Sequence, residues 1–554
     1  MRRRSPARRA AVPAAVAALL LATGATSTGC TAASENGTTM PGITPLPASI
    51  GFPDGAPPWR LTERTRIVVA GDAGSAPDLL AGLLRAGTGH GVAVVDGGSD
   101  AGGEADIVIS VDPGTALDPE GYALEVGADG VRIDAADAAG AFWATQSLRQ
   151  LLPAAIEGGD AAEPADGWTA PAVSIEDAPR FAYRGAMLDV ARHFLPVEDV
   201  ERYVDAIALL KLNVLHLHLT DDQGWRIEIP GWPELTGIGA STSVGGDGGG
   251  AYTADDYRRI VAYAAERHVN VVPEVDLPGH TNAALSAYAE LNCDGVARTP
   301  YEGVEVGFSS LCASPQRAEA TDRFLADVTR AVAALTPGPW LHVGGDESLS
   351  TSREDYLDLA RRITSAAAAT GKTVMGWHEL GASRDLPAGT VGQYWSFTEP
   401  EDDAADLTRS FVEQGGRVVM SPADVAYLDM KYPDDPQTPR GDRLGQDWAK
   451  GPTTLDEAYA WEPTAIVPGI GEAEVLGVEA PIWTETMSRI EDVEFMAFPR
   501  ITAIAEIAWS PRPGDGGRDR AAFVDRVARL GGRWDALGTA YHAVDGVPWD
   551  GSAS

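Results

Sequence analysis

Eight short apolar runs rich in β-branched residues alternate with helical patterns over residues 179–554. Between several of these runs, apolar positions recur at the spacing of an amphipathic helix, as in PVEDVERYVDAIALLK and TADDYRRIVAYAAERH. Continuously apolar strands indicate a parallel sheet covered on both faces, and eight strand–helix units close into a (β/α)8 barrel. The pattern predicts such a barrel, with an open doubly wound sheet as the alternative because the helix after the seventh run is poorly defined. The runs are YRGAMLDV, LNVLHLHL, VNVVPEV, PWLHVGG, TVMGW, TVGQYW, RVVM and VLGVEAPIW.

Residues 43–178 have a different pattern. The β-like runs TRIVVAG, ADIVISV, YALEVG and GVRIDA are followed by the helical stretch DAAGAFWATQSLRQLLP. Strands that cluster before a helix predict a smaller α+β domain in front of the barrel, so the overall class is α/β. The acidic stretch EGGDAAEPADGW is typical of an exposed connection.

The first 30 residues have the pattern of an export signal. Five arginines in MRRRSPARRA precede the apolar run AVPAAVAALLLAT and then STGC, which resembles a bacterial lipoprotein processing site with Cys30 as the lipidated residue. A transmembrane helix fits less well, because the run is shorter than the roughly 20 residues that a span needs and contains Pro13. Secretion without a lipid stays open, since Ser27 departs from the usual aliphatic residue. We expect an exported protein, at the cell surface or secreted, with residues 31–42 as a linker.

The charge of the chain restricts its partners. A formal net charge of −37 repels nucleic acid and anionic lipid. A neutral substrate fits better, and membrane contact is expected only through the lipid anchor. The sequence does not indicate an oligomeric state.

Two further cysteines, Cys293 and Cys312, lie in a segment with loop character. In an oxidising compartment an isolated pair is most simply a disulfide that closes the loop. Two buried free thiols are the alternative.

Polar or aromatic side chains follow each of the eight predicted barrel strands. The active sites of such barrels lie at the carboxyl ends of the strands, so these side chains are expected to converge. Any single aspartate could be a helix cap and any single tryptophan a core residue, but eight occupied strand ends favour a common site. Strand by strand, the side chains are Asp189 and Arg192, Asp221 and Trp225, Asp276 and His280, Asp346 and Glu347, Trp377, Trp395, Tyr427 and Asp429, and Trp483 and Glu485.

This combination of carboxylates, an arginine and indole rings is typical of a carbohydrate site. Indole faces stack on the C–H face of a pyranose, while charged groups bind its hydroxyls with fixed direction. No GxGxxG, P-loop or GxSxG in a suitable context is present, so no cofactor is predicted. No cysteine or histidine cluster has metal-site spacing. A metal-dependent hydrolase built on His280, Asp221 and Asp276 remains an alternative that sensitivity to a chelator would test.

The adjacent carboxylates in WLHVGGDESLS restrict the mechanism. Glycosidases ordinarily place two carboxylates on opposite sides of the scissile bond. Asp346 and Glu347 are neighbours, with Cα atoms only about 3.8 Å apart, and cannot easily straddle a substrate. We infer that both serve one side of the reaction and that another group is the nucleophile.

Six segments resemble glycoside hydrolase family 20, the β-N-acetylhexosaminidases. In chain order, which is also the family's order, they are RGAMLDVARHF, HLHLTDDQGWR, PEVDLPGH, HVGGDE, YLDMKY and GVEAPIWTET. The resemblance extends from GYALEVGADGVRIDAADAAGAFWATQSLRQLLP to FPRITAIAEIAWSP. It implies an exo-acting enzyme that removes terminal GlcNAc or GalNAc from neutral oligosaccharides, with the substrate's own acetamido group as nucleophile. A lacto-N-biosidase, which releases a disaccharide, and a catalytically silent sugar-binding surface lipoprotein are the alternatives.

The resemblance also implies a role for each site residue. Glu347 would be the general acid and later the base, and an anionic Asp346 beside it would favour its protonated form. Asp346 would hold the acetamido nitrogen, Tyr427 would donate a hydrogen bond to the acetamido oxygen, and His280 with Asp221 would support Glu347. The residues implied to bind outer hydroxyls are Arg192, Asp429 and Glu485, and those implied to surround the acetamido methyl and the ring face are Trp377, Trp395 and Trp483, with Trp448 at the same rim.

Overall fold

The N-terminal domain is a seven-stranded mixed sheet with two helices. The computed structural model describes residues 42–97, 103, 106–159, 163–514 and 517–549. In the sheet the order is β1-β9-β6-β7-β5-β3-β4, while β2 and β8 form a separate ribbon. The elements are β1 Ser49–Gly51, β2 Trp59–Arg60, β3 Arg66–Ala70, α1 Ala76–Thr88, β4 Ala93–Asp96, β5 Ile107–Val111, β6 Tyr122–Gly127, β7 Gly130–Ala135, α2 Ala138–Leu151, β8 Thr169–Ala170 and β9 Val173–Asp177.

The barrel is closed, and each of its strands lies where the sequence predicts one. The last strand pairs in parallel with the first, in a register that sets Tyr183 against Gly477, so the open-sheet alternative is wrong. The strands are β10 Tyr183–Asp189, β11 Val214–His218, β12 Asn270–Glu274, β13 Trp340–His342, β14 Thr373–Trp377, β15 Val391–Tyr394, β16 Val418–Met420 and β17 Val475–Ala480.

The helices around the barrel are less regular than its strands. Only a short 3-10 helix, His378–Ala382, follows the fifth strand, and three short helices with a long loop between the first two of them follow the seventh, where the sequence pattern is unclear. The helices are α3 Val197–Leu209, α4 Glu234–Gly237, α5 Ala254–Glu266, α6 Asn282–Ala287, α7 Ala318–Leu335, α8 Arg353–Ala368, α9 Ala404–Glu413, α10 Ala423–Ala426, α11 Leu455–Ala460, α12 Pro463–Ile466, α13 Ile490–Ala497, α14 Arg500–Trp509 and α15 Arg520–Leu537.

A buried polar cluster joins the two domains. Asp177, at the end of β9, accepts hydrogen bonds from Lys211 Nζ at 2.8 Å and from Tyr122 OH at 2.6 Å. The indole of Trp509 in α14 donates to the same carboxylate at 2.9 Å. Because a buried charge is tolerated only when it is paired, these contacts fix how the N-terminal domain packs on the barrel.

A disulfide joins Cys293 and Cys312, as predicted, and it lies in the loop between α6 and α7. The alternative of two free thiols is therefore wrong. Cys30 and the rest of the predicted signal and linker lie outside the described residues, apart from residue 42. Within the described ranges, no helix combines the length and the apolar character needed to cross a bilayer.

Candidate active site

A cavity of about 790 Å³ opens at the carboxyl end of the barrel. Its walls come from the segments that follow seven of the eight strands, which is where a barrel of this kind places its chemistry. The predicted site residues that line it are Arg192, His280, Asp346, Glu347, Trp377, Trp395, Tyr427, Trp448, Trp483 and Glu485.

Two glycines in HVGGDE bring the carboxylate pair to the mouth of the cavity. Gly344 and Gly345 have φ values of 69° and 110°, in the region that favours glycine. A side chain on Gly344 would place its Cβ 1.7 Å from Oδ1 of Asp276, so this position excludes any other residue. Glu347 has a φ of 45°, a strained value for a residue with a side chain. The apolar strand therefore ends in a tight turn that presents Asp346 and Glu347 to the cavity.

His280 lies between the two carboxylates and Asp221. Its Nε2 is 3.4 Å from Oε2 of Glu347 and 3.6 Å from Oδ2 of Asp346, and its Nδ1 is 3.2 Å from Oδ1 of Asp221. Burial lowers the pKa of His280, but the carboxylates of Asp221 and Asp276 outweigh burial and hold this pKa well above its usual value. A charged imidazolium therefore contacts both members of the pair.

Asp221 lies behind the cavity wall and stays ionised. Burial raises the pKa of this carboxyl, but Arg192 and His280 outweigh burial and hold the pKa well below its usual range. Arg192 Nη2 is 2.8 Å from Oδ2 of Asp221, and His218 Nε2 is 2.9 Å from the same oxygen. The carboxylate is thus fixed by three cationic or imidazole partners.

The sequence leads us to expect an anionic Asp346, and the structure gives this carboxyl a different charge state. Its side chain is buried, and burial raises its pKa to about 7. Near neutral pH the free enzyme therefore holds Asp346 only partly ionised, and a fully anionic Asp346 is expected only above that pKa. A ligand N–H group that donates to this carboxylate would lower its pKa again.

Four aromatic rings form a continuous wall of the cavity. The centroids of Trp377 and Trp483 are 6.0 Å apart, those of Tyr427 and Trp483 are 6.3 Å apart, and those of Tyr427 and Trp448 are 5.8 Å apart. Trp377 is 1% exposed whereas Trp448 is 44% exposed, so the wall runs from the floor of the cavity to its mouth. Trp395 continues the wall beyond Trp448, at 6.0 Å.

Several buried polar atoms of the cavity have no hydrogen-bond partner within the described part of the chain. They are Arg192 Nε, His280 Nε2, Asp346 Oδ1 and Glu485 Oε2. Because buried polar atoms are normally paired, this concentration indicates a site that receives a polar ligand. The combination of unpaired polar atoms with apolar rings fits a sugar.

Five of the residues predicted at the strand ends do not line the cavity: Asp189, Asp221, Trp225, Asp276 and Asp429. Asp429 is buried behind the wall, where it accepts a hydrogen bond from the backbone N–H of Trp483 at 3.4 Å. Trp225 belongs to the core instead: its indole donates to the Ile227 carbonyl at 2.8 Å, and its ring packs 5.7 Å from that of Phe324. Trp225 is thus a structural residue, as the core alternative allows.

Comparison with known proteins agrees with this architecture. Residues 181–356 and 348–512 match the family model described as glycosyl hydrolase family 20, catalytic domain, and residues 40–178 match that of glycosyl hydrolase family 20, domain 2. The chain belongs to glycoside hydrolase family 20. A β-N-acetylhexosaminidase of Cellulomonas fimi is 41% identical over 516 residues, which are 92% of this chain and 98% of that relative.

Solved structures of family 20 enzymes share the fold. The GH20 β-N-acetylhexosaminidase of Streptomyces coelicolor A3(2) has a TM-score of 0.84 and 45% identity, covering 92% of this chain and 98% of its own. The N-acetyl-β-hexosaminidase of Streptomyces plicatus, in complex with Thio-NAglucal, has a TM-score of 0.85 and 44% identity, covering 92% and 97%. This chain is accordingly a glycoside hydrolase with the family's N-terminal and catalytic domains.

Some residues of the family 20 site were not predicted from the sequence. Glu379 lines the cavity, and its two carboxylate oxygens accept from the indole N–H of Trp395 at 3.1 and 3.0 Å. Burial raises the pKa of Glu379 to about 8. Its position two residues after Trp377, just beyond a strand end, is the signal that could have identified it. The apolar lip of the cavity, formed by Val304, Val306 and Leu349, left no such signal.

The alternative of a metal-dependent hydrolase depends on whether the carboxylates around His280 could bind a metal ion. Ligand atoms of Asp276, His280 and Asp346 lie within 4.8 Å of one another, as do those of Asp221, Asp222 and His280. In this family 20 enzyme each of these histidine contacts is also explained by charge pairing, because Asp221 and Asp276 raise the pKa of His280. A chelator remains the direct test.

Proposed function

We propose that this family 20 hydrolase is an exo-acting β-N-acetylhexosaminidase that uses the acetamido group of its substrate as nucleophile. The observation that carries the proposal is the meeting of Asp346, Glu347 and Tyr427 in one cavity walled by indoles. Relatives in the family support the substrate class: one structure of a mutant Streptomyces plicatus β-hexosaminidase is a complex with GlcNAc as product. The substrate would be a terminal GlcNAc or GalNAc of a neutral oligosaccharide.

In the first step, Glu347 donates its proton to the glycosidic oxygen and the bond to the leaving sugar breaks. The carbonyl oxygen of the acetamido group attacks the anomeric carbon and forms an oxazolinium ion. Asp346 accepts a hydrogen bond from the acetamido N–H and offsets the positive charge that develops there. Tyr427 donates a hydrogen bond to the acetamido oxygen and fixes its direction. Because the nucleophile belongs to the bound sugar, the orientational cost of the attack is met on binding.

In the second step, Glu347 acts as base. It removes a proton from a water molecule that attacks the anomeric carbon, and the oxazolinium ring opens to return the acetamido group. The His280 imidazolium beside Glu347 can stabilise the carboxylate anion that is left after the first step. The Asp221 carboxylate in turn keeps His280 charged.

The other cavity carboxyl near the pair is a poor nucleophile. Burial raises the pKa of Glu379 to about 8, so this group is mainly protonated at neutral pH. Its two oxygens already accept from the indole of Trp395. A protonated carboxyl that is held in this way supports the view that no enzyme carboxylate attacks the anomeric carbon.

The fixed positions of Arg192 and Asp429 support release of one sugar rather than a disaccharide. A lacto-N-biosidase would need more room beyond Arg192 and Asp429. Arg192 is instead held against Asp221 at 2.8 Å, and Asp429 is only 1% exposed behind Trp483. A non-catalytic sugar-binding role would be expected to lack one of Glu347, Asp346 and Tyr427, and all three are present.

The decisive experiment compares an aryl β-N-acetylglucosaminide with the matching aryl β-glucoside. We expect kcat/KM to be higher for the N-acetylated substrate by at least about 10³-fold, because the glucoside lacks the intramolecular nucleophile. A thiazoline that mimics the cyclised intermediate should inhibit competitively, and a chelator should leave the rate unchanged. Equal rates on the two substrates would contradict substrate assistance, and loss of activity with the chelator would favour the metal-dependent alternative.

We also propose that the enzyme is exported, either as a surface lipoprotein anchored at Cys30 or as a secreted protein. The arginine-rich leader and the Cys293–Cys312 disulfide, which suits an oxidising compartment, support this location. A lipoprotein would begin at Cys30 with a diacylglycerol modification, whereas a secreted chain would lack the lipid, and mass spectrometry of the isolated N-terminal peptide distinguishes the two. A chain that retains its leader would contradict export by this route.

A further inference from the structure

Glu274 lies at the end of β12, with its side chain buried in the interior of the barrel beneath the cavity. Both of its carboxylate oxygens are occupied. Oε1 accepts from Trp377 Nε1 at 2.9 Å and lies 3.0 Å from His342 Nδ1. Oε2 is 2.6 Å from His218 Nδ1 and 3.1 Å from His216 Nε2. One carboxylate thus holds side chains from three other strands.

One of these contacts reaches the wall of the sugar cavity. The indole of Trp377 lines the cavity and contacts Trp483, and its single N–H donates to Glu274. An indole has only this one polar atom, so the hydrogen bond fixes the orientation of the ring in the cavity wall. The position of the Trp377 wall therefore depends on the Glu274 carboxylate.

Another contact reaches the acid. His218 bridges Glu274 and Asp221, with Nδ1 2.6 Å from Glu274 Oε2 and Nε2 2.9 Å from Asp221 Oδ2. Asp221 continues through His280 at 3.2 Å to Glu347 at 3.4 Å. Carboxylates and imidazoles alternate along the whole path from Glu274 to the acid.

The charges along this path depend on Glu274 being ionised. Burial lowers the pKa of His218, but the Glu274 and Asp221 carboxylates outweigh burial and raise it to about 9. Burial would raise the pKa of Glu274, yet His218, His342 and His216 hold it well below its usual range. His218 is therefore an imidazolium over the physiological range and can donate to both carboxylates at once.

We propose that Glu274 is a positioning residue. It holds the indole of Trp377 and the series of contacting side chains Asp221–His280–Glu347 at a fixed distance from each other. The acetamido group and the glycosidic oxygen of one substrate must be met by these two parts together, and a single buried carboxylate sets the distance between them. This inference rests on the proposed function, since it concerns how the acetamido pocket and the acid are aligned. Glu274 itself does not line the cavity.

The chain offers a matched control in Glu479. This carboxylate is also fully buried in the barrel, on β17, and it contacts His216 Nδ1 at 2.9 Å and Gln393 Nε2 at 2.6 Å. It touches neither Trp377 nor His218. Glu274→Gln and Glu479→Gln therefore each remove a buried negative charge beside His216. Only Glu274→Gln also alters the contacts to Trp377 and His218.

The first readout is affinity for the thiazoline. A glutamine has one acceptor oxygen where Glu274 has two, so it can no longer accept from both Trp377 and His218. Glu274→Gln should therefore weaken the affinity by about tenfold, while Glu479→Gln should change it by less than about threefold. Similar thermal midpoints for the two variants would show that the difference is not general loss of stability. An unchanged affinity in Glu274→Gln, or equal losses in both variants, would overturn the proposal.

The second readout is the pH profile of kcat/KM relative to the wild type. Without the Glu274 charge, the pKa of His218 falls, because burial lowers it and only Asp221 and Asp189 of its carboxylate neighbours still raise it. His218 would then lose its proton between about pH 5 and about pH 8, and Asp221 would lose a cationic partner. The groups that face Glu274 are His216 and His218 from β11, His342 from β13 and Trp377 from β14. Asp276, Asp346 and Tyr183 also sense its charge. His218 is in addition faced by Asp221, Asp189 and Arg192.

The relative activity of Glu274→Gln should therefore fall by at least about fivefold as the pH rises across that range, whereas that of Glu479→Gln should stay flat. A flat ratio for Glu274→Gln would contradict the role of His218. If Glu274→Gln does not fold, Trp377→Phe should weaken the thiazoline and His218→Asn should lower kcat/KM, and wild-type values in both would overturn the proposal. Wild-type inhibition by the thiazoline, measured beforehand, separates failure here from failure of the proposed function.

Discussion

Replacing Glu347 with glutamine is expected to lower kcat/KM for an N-acetylated disaccharide by about 10⁴-fold. The amide keeps the shape of the side chain but cannot give a proton to the poor leaving group of a natural glycoside. Substrates with a dinitrophenyl leaving group need no proton, so their first step should survive and water attack should become rate-limiting. Azide, which attacks without a base, should then restore turnover of the dinitrophenyl substrate but not of the disaccharide. Steady-state rates on the two substrates, with and without azide, check this.

The control for Glu347→Gln is Glu379→Gln. Both carboxyls line the same cavity, and the amide oxygen of a glutamine at position 379 can still accept from the Trp395 indole. We expect that variant to retain activity within about tenfold of the wild type and to show no rescue by azide. Rescue by azide in Glu379→Gln but not in Glu347→Gln would show that Glu379, and not Glu347, is the general acid.

The barrel could be predicted because its strands are buried on both faces. Each strand then appears in the sequence as a short apolar run, and all eight runs correspond to strands of the barrel. Elements with weaker burial patterns were missed: β1 and β4 are edge strands with exposed residues, and α1 contains Gly82 and Gly87, which lower helix propensity. The irregular segment after β16 lacks a helical period because it is mostly loop.

The cavity residues could be predicted because topology, not contact, brings strand ends together. Asp346 and Glu347 follow β13 closely, Tyr427 comes after β16 and the short helix α10, and parallel strands in a barrel share one rim. The layer below could not be predicted in this way. His216, His218 and Glu274 occupy inward positions of strands, where a polar residue contradicts the apolar pattern and its partner lies on another strand. Only the fold decides which carboxylate meets which imidazole.

The charge state of Asp346 was also beyond the sequence. An aspartate beside a glutamate is expected to be ionised at neutral pH, and nothing in the residue pattern states how deeply it is buried. In the structure burial raises the pKa of Asp346 to about 7, against the opposing effect of the nearby His280. This shift places the titration of Asp346 inside the working range of an ordinary assay.

Asp346→Asn is therefore expected to change both the rate and its pH dependence. Loss of the negative charge beside the developing oxazolinium should lower kcat/KM for aryl N-acetylglucosaminides by about 10² to 10³-fold. In the wild type, kcat/KM should rise with pH as Asp346 ionises near its pKa of about 7, because this parameter reports the free enzyme. The variant has no carboxyl at this position and should lack that acidic limb.

The same variant should also lose selectivity for the acetamido group. Because Asp346 contacts only the acetamido side of the substrate in the proposed mechanism, its loss should lower the rate ratio between aryl N-acetylglucosaminide and aryl glucoside, while Glu347→Gln should lower both rates and leave the ratio nearly unchanged. The two variants thus separate charge stabilisation from proton transfer within one pair of neighbouring residues. An acidic limb near pH 7 that persists in Asp346→Asn would assign that titration to another group, with Glu379, whose pKa is raised to about 8, as the next carboxyl to replace.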